Sequence, residues 1–89
     1  EYIIPTHQGR AAERILFEVI KSPGKYTLSN SHFDTTKANS ESSGFVALDL
    51  PNKDAFDFNK ISKFKGDIDI SALKQTIEEK EAKNIALVI

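Results

Sequence analysis

Apolar residues recur in this chain at two different spacings. Between Gln8 and Lys21, Ala11, Ala12, Ile15, Leu16, Val19 and Ile20 follow one another at steps of one, three, one, three and one. That spacing lines a single side of a helix. Arg10, Glu13, Arg14, Glu18 and Lys21 fall mostly off the stripe, and Ser22-Pro23-Gly24 supplies the stop, because proline cannot continue the helical hydrogen bonding. The pattern predicts a helix over 8–21 that packs on its apolar stripe and solvates the opposite face.

Tyr26, Thr27 and Leu28, within Lys25 to Asn30, suit a short strand. The stretch from Ser29 to Gly44 reads as loop, since its only large apolar residue is Phe33 and its Asn, Ser, Asp and Thr side chains favour local turns and caps. Phe45 to Leu50 reads as a second strand closed by Pro51-Asn52, and Lys53 to Lys63 as mostly irregular. A second helix is expected from Ala72 to Lys83, with Leu73 and Ile77 inward, Asp69 or Ser71 as N-cap, and Asn84 at its end. The run Ile85-Ala86-Leu87-Val88-Ile89 has no polar alternation, the mark of a strand buried on both faces of a helix-covered parallel sheet. The order helix, strand, strand, helix, strand implies an α/β layer architecture. The apolar last strand and the start without Met suggest a piece of a larger domain, its cover completed by chain beyond Ile89.

Composition narrows the partners. Eighty-nine residues, 39% hydrophobic and 28% charged, make one small globular unit. Twelve basic against thirteen acidic residues leave a formal charge of −1, which offers no overall field for nucleic acid or an anionic membrane. The absence of cysteine excludes disulfides and thiolate metal sites, and no segment reaches the ~20 apolar residues of a membrane span. A cytoplasmic setting fits these features.

Candidate chemistry gathers at two places. Gln8-Gly9-Arg10 opens the first helix, where unpaired N–H groups and the helix dipole suit an anion, Gly9 allows close approach and Arg10 can add a bidentate contact. A glycine at a helix start is also a common turn residue. Phe33 can stack on a flat ring or plug a gap beneath its loop, and Asp34 can act in acid/base chemistry or polar recognition, or cap a helix or turn. His7 and His32 lack a well-placed third ligand for a metal site and read as ordinary surface or hydrogen-bonded histidines. Asp54, Asp57, Asp67 and Asp69 lack the spacing of a calcium loop and read as caps and solvated charges. No G-x-S-x-G elbow, P-loop or G-x-G-x-x-G is present.

Three separated blocks carry a resemblance. Tyr2-Ile3-Ile4-Pro5-Thr6-His7-Gln8-Gly9-Arg10-Ala11-Ala12-Glu13, then Asn30-Ser31-His32-Phe33-Asp34-Thr35-Thr36, then Phe64-Lys65-Gly66-Asp67-Ile68-Asp69 with Leu73 and the helix leading to Asn84-Ile85-Ala86 together resemble the tryptophanase and tyrosine phenol-lyase family. These are β-eliminating lyases that depend on pyridoxal 5′-phosphate. Ser43 to Ser62 matches poorly. The resemblance implies that residues 1–89 form a single partial domain, part of the large cofactor-binding domain of fold type I. It implies that Gln8, Gly9 and Arg10 hold the cofactor phosphate and that Phe33 stacks on its pyridine ring. Asp34 stands where tryptophanase-like members carry Asp and tyrosine phenol-lyases carry Thr, whereas the first block leans towards tyrosine phenol-lyase.

The implied reaction is elimination from an aromatic amino acid, tryptophan or tyrosine, to pyruvate and ammonia, with cysteine as a further candidate substrate. Lys60, Lys63 and Lys65 do not lie in the Ser-x-Lys-Lys context where the family carries its catalytic lysine, so no catalytic residue is expected in this piece and the piece alone is expected to be inactive. The resemblance further implies a full-length homotetramer with a monovalent cation such as K+, while the isolated piece is expected to self-associate through exposed strand edges such as Ile85 to Ile89. A free-standing α/β module that binds a phosphorylated ligand or a protein without catalysis, and another enzyme of the same cofactor fold, are the competing readings.

Overall fold

The computed structural model describes all 89 residues, Glu1–Ile89. The elements are α1 (Gly9–Val19), β1 (Tyr26–Ser29), α2 (Asp34–Ser42), β2 (Val46–Asp49), α3 (Ile70–Lys80), a single 3-10 turn (Ala82–Asn84) and β3 (Ile85–Val88). The strands form one parallel sheet in the order β2-β1-β3, with Tyr26 opposite Val46 and Ile85, and Leu28 opposite Leu48 and Val88. Parallel neighbours need crossovers. Here α2 supplies one, and the irregular segment after β2 together with α3 supplies the other.

Strand β1 lies in the middle, with Thr27, Leu28 and Ser29 all buried. Side chains alternate along a strand, and Thr27 faces α2, where its hydroxyl lies 2.9 Å from that of Ser40. Tyr26 and Leu28 occupy the other face, on which Lys80 of α3 stands 5.2 Å from the centre of the Tyr26 ring. The buried apolar core is small: Phe17, Leu28 and Phe45, with the two aromatic rings 5.9 Å apart and tilted by 54°. Gly24 and Gly44 take positive φ, 83° and 85°, at the turns that pair Gly24 N–H with the Gly44 carbonyl. Those turns connect α1 to β1 and α2 to β2, and glycine adopts this conformation without strain.

Four sequence expectations are corrected. Ser29 to Gly44 is not a loop throughout, because α2 occupies Asp34–Ser42 and the order becomes helix, strand, helix, strand, helix, strand. Its buried positions are Thr36 and Ser40, which keep the i, i+4 spacing of a packed helix face but carry it on hydroxyls, so hydrophobic periodicity is silent. The apolar stripe of α1 faces away from the packed side: Ile15, Leu16 and Val19 are exposed, and the buried residue is Phe17. Strand β3 is a half-buried edge, and the doubly covered strand is β1. Finally, α3 ends at Lys80, where Glu81 takes the left-handed conformation (φ 65°) and the 3-10 turn follows; Asn84 then donates its side-chain amide to the Lys80 carbonyl. The Asp69 cap is found as expected, its carboxylate accepting from the Ala72 N–H at 3.0 Å, and 53–63 contains no helix or strand.

The chain does not close on itself. Its accessible surface of 6583 Å² exceeds the ~5,200 Å² of a compact protein of this mass. Its radius of gyration of 14.7 Å exceeds the ~12 Å of a compact chain of this length. Phe17→Ala is expected to cost about 3–5 kcal/mol of stability, while Val19→Ala, on the open face, is expected to change it by less than about 0.5 kcal/mol. Urea unfolding of the 89-residue chain, followed by far-ultraviolet circular dichroism, measures both.

Candidate functional site

In an open α/β sheet, ligands settle beyond the carboxyl ends of the strands where the strand order reverses. With order β2-β1-β3, that point is the carboxyl end of β1, from which residues 30–33 climb to the start of α2. Phe33 is the N-cap of α2 and is 69% exposed, so its ring does not plug a gap beneath the loop and stands open to solvent. Asp34 is the first helical residue, placed where a negative charge opposes the helix dipole. The cap position itself belongs to Phe33, which makes no side-chain cap bond, so Asp34 is not the cap.

Gln8 is the N-cap of α1 with an extended backbone, and its carbonyl accepts from the N–H groups of Ala11 and Ala12 at 3.1 and 3.2 Å. Gly9 and Arg10 are the next two residues, where helix N–H groups have no acceptor within the helix. Nothing lies within 4 Å of where a Cβ on Gly9 would stand, so this helix start is open to an approaching anion. A cleft of about 370 Å³ borders it, lined by His7, Gln8, Arg10, Ala11 and Arg14 on one side and by Thr35, Ala38 and Asn39 of α2 on the other. The lining holds two guanidinium groups and no carboxylate, which suits an anion.

The structure therefore brings together Gln8 and Arg10 from the first sequence block and Thr35 from the second, with Gly9 beside them in α1 and Phe33 and Asp34 preceding Thr35. Arg14 and Asn39 also line the cleft and were not singled out from sequence. Arg14 lies four residues after Arg10, on the same side of α1, and that spacing was the available signal. Asn39 had none, since it lies on the helix that the apolar pattern does not reveal.

Beneath the loop is a buried polar network. The His32 side chain is fully buried, and its Nδ1 lies 2.6 Å from Asp49 Oδ1, which also accepts the His32 backbone N–H at 2.8 Å. His32 Nε2 lies 3.3 Å from the Thr27 hydroxyl. Every partner is satisfied when Nδ1 carries the hydrogen, Thr27 donates to Nε2 and Ser40 donates to Thr27. Burial pushes the Asp49 carboxyl up, but the hydrogen bonds from the backbone N–H and the ring of His32, with Lys37 nearby, outweigh burial and hold it below the usual aspartate value. Outside this network, Glu13 of α1 accepts from Thr36 at 2.8 Å and Glu18 from Ser43 at 3.1 Å. The Glu18 carboxyl is held low by the Ser43 bond first and then by Lys21.

A parallel strand buried on both faces, whose carboxyl end leads to an exposed aromatic, and a neighbouring cleft lined by two arginines define the chain as an α/β unit with an open cleft at the start of α1. Comparison of sequences gives its family. All of residues 1–89 match the beta-eliminating lyase family. The chain is 41% identical to a tyrosine phenol-lyase of Clostridium tetani over 88 residues, which are 99% of this chain and 19% of that protein. It is 42% identical to a tyrosine phenol-lyase of Fusobacterium nucleatum over the same shares. It is 43% identical to a tryptophanase of Rhodobacter capsulatus over 83 residues, 93% of this chain and 18% of that protein. The chain belongs to the beta-eliminating lyase family, and it spans about a fifth of the length of these relatives.

The lowered pKa of Asp49 fixes a sign. Its ionised form contributes stability above the ordinary aspartate range, and that contribution is lost as pH falls through the lowered value. The stability difference between the native chain and Asp49→Asn is expected to be larger at pH 5 than at pH 2; equal differences in urea titrations at the two pH values would count against this assignment.

Proposed function

We propose that these residues are part of the large, fold type I cofactor domain of a pyridoxal-phosphate-dependent β-eliminating lyase that acts on an aromatic amino acid, releasing pyruvate and ammonia. The observation that carries the reading is the cationic cleft at the start of α1, adjoining the segment that presents Phe33. The residues fit the cofactor: Gly9 leaves open space over the helix start, the cleft lining holds no carboxylate to repel a phosphate, and the Phe33 ring is free to cover a flat heterocycle.

Gln8, Gly9 and Arg10 would hold the phosphate through the helix start and the guanidinium, and Phe33 would lie against the pyridine ring. Pyridoxal phosphate, when bound, supplies the electron sink that elimination from an amino acid requires. Asp34 adjoins Phe33 in the chain and offers an acceptor for a polar group on the aromatic substrate, such as an indole N–H. An indole N–H and a phenol O–H can both donate to it, so this acceptor serves either tryptophan or tyrosine. A self-contained binding module is disfavoured by the open apolar face of α1 and by the accessible surface in excess of a compact chain.

Arg10→Ala in the full-length lyase is expected to weaken binding of pyridoxine 5′-phosphate by about 10–100-fold, the range for loss of a charge-assisted contact. Isothermal calorimetry measures it, and an unchanged affinity would remove Arg10 from the site. The isolated 89-residue chain is expected to release no pyruvate from tryptophan, tyrosine or cysteine; a measurable yield would show that the catalytic groups are present after all.

A further inference from the structure

We infer that His32 and Asp49 are positioning residues for the cofactor-facing loop: by clamping the backbone at His32 they set where Phe33 and Asp34 stand before any ligand arrives. The inference rests on the lyase reading above. It starts from a contrast between neighbours, since Phe33 is largely exposed while the His32 side chain is wholly buried. An exposed ring has too few contacts to fix its own place, so its position follows from the backbone on either side.

On the far side that backbone is α2, which Thr36 ties to Glu13 and Ser40 ties to Thr27. On the near side, one oxygen of Asp49 takes both the backbone N–H and the ring N–H of His32, at 2.8 and 2.6 Å. Two bonds from one residue to one acceptor fix orientation as well as distance. Asn30 restrains the rest of the loop, accepting from the Ser31 N–H at 2.7 Å and donating to the Gly66 carbonyl. Asp49 ends β2, opposite Ser29 in the β1 register, so the clamp spans the carboxyl ends of two adjacent strands. A group held in its binding geometry beforehand spares the ordering cost on binding.

The test uses the full-length lyase with Asp49→Ala, Asp49→Asn and, as a structural control, Ser43→Ala, which removes the Glu18 bond at the α2–β2 turn and leaves the loop's own bonds in place. Amide exchange of residues 31–36 is read by mass spectrometry in the cofactor-free protein, and pyridoxal 5′-phosphate is then added to read its dissociation constant and induced circular dichroism. Asp49→Ala is expected to speed exchange in that segment about tenfold and to raise the dissociation constant about tenfold, with a weaker induced signal per bound cofactor. Asp49→Asn keeps an acceptor oxygen and is expected to restore most of both, and Ser43→Ala to leave both near wild type even where its melting temperature falls.

An Asp49→Ala protein with wild-type exchange and signal overturns the inference, as does a Ser43→Ala protein equally affected. If Asp49→Ala does not accumulate in soluble form, His32→Leu, which keeps the backbone N–H bond to Asp49 and removes the ring's contacts with Asp49 and Thr27, carries the same expectation at smaller size and the same refutation. A wild-type protein that takes up no pyridoxal phosphate overturns the lyase reading itself, and is told apart because a failed positioning role leaves wild-type uptake intact.

Discussion

The Thr27 and Ser40 hydroxyls, 2.9 Å apart and both inaccessible to solvent, meet where β1 and α2 pack. A buried hydroxyl without a partner costs roughly 1–3 kcal/mol, so each surface is acceptable only while the other is in register. Thr27 also reaches His32, and His32 reaches Asp49, so the same requirement passes from the middle strand to the loop and on to the end of β2. No buried polar side-chain atom is left without a partner. The crossover β1-α2-β2 is thus held chiefly by complementary polar groups, with the Phe17–Phe45 contact as its apolar anchor.

This construction explains what the sequence disclosed and what it concealed. The periodic helix α1, the strand residues Tyr26 to Leu28, the cap at Asp69 and the final strand were legible because their signals are local: spacing, β-branching, a carboxylate before a helix. Helix α2 was hidden because Thr36 and Ser40 bury hydroxyls, a choice that depends on partners 23 and 13 positions away at Glu13 and Thr27. The direction of α1 was hidden for a related reason. Amphipathicity reports that a helix has an apolar face but not which neighbour covers it, and within this chain the cover falls on Phe17 while Ile15, Leu16 and Val19 stay open. At the site, Gly9, Arg10, Phe33 and Asp34 gained meaning through resemblance, whereas the approach of Arg10 to Thr35 across the cleft is a property of the folded chain alone.

The two halves of the proposed cofactor site differ in how they are fixed. The phosphate half uses the start of α1, where backbone groups and the dipole are oriented by the helix itself. The ring half uses one aromatic at the start of α2, with no comparable regular structure before it. His32 and Asp49 supply there what helical hydrogen bonds supply at the other half. A charged acceptor is suited to this because its bonds are stronger than those of a neutral one, and the pKa of Asp49, held below the usual aspartate value, favours the ionised form.

Polar satisfaction and apolar burial are met over different distances in this molecule. The hydrogen bonds beneath the loop close within the crossover and with α1, so the geometry near Phe33 is determined by residues present in the chain. The apolar stripe of α1 and the strand edge at β3 are left open, and their burial requires other surfaces. A lyase assembled from such a unit gains overall stability when those faces are covered. The local orientation of Phe33 and Asp34 depends instead on short polar contacts, which are already complete among these 89 residues.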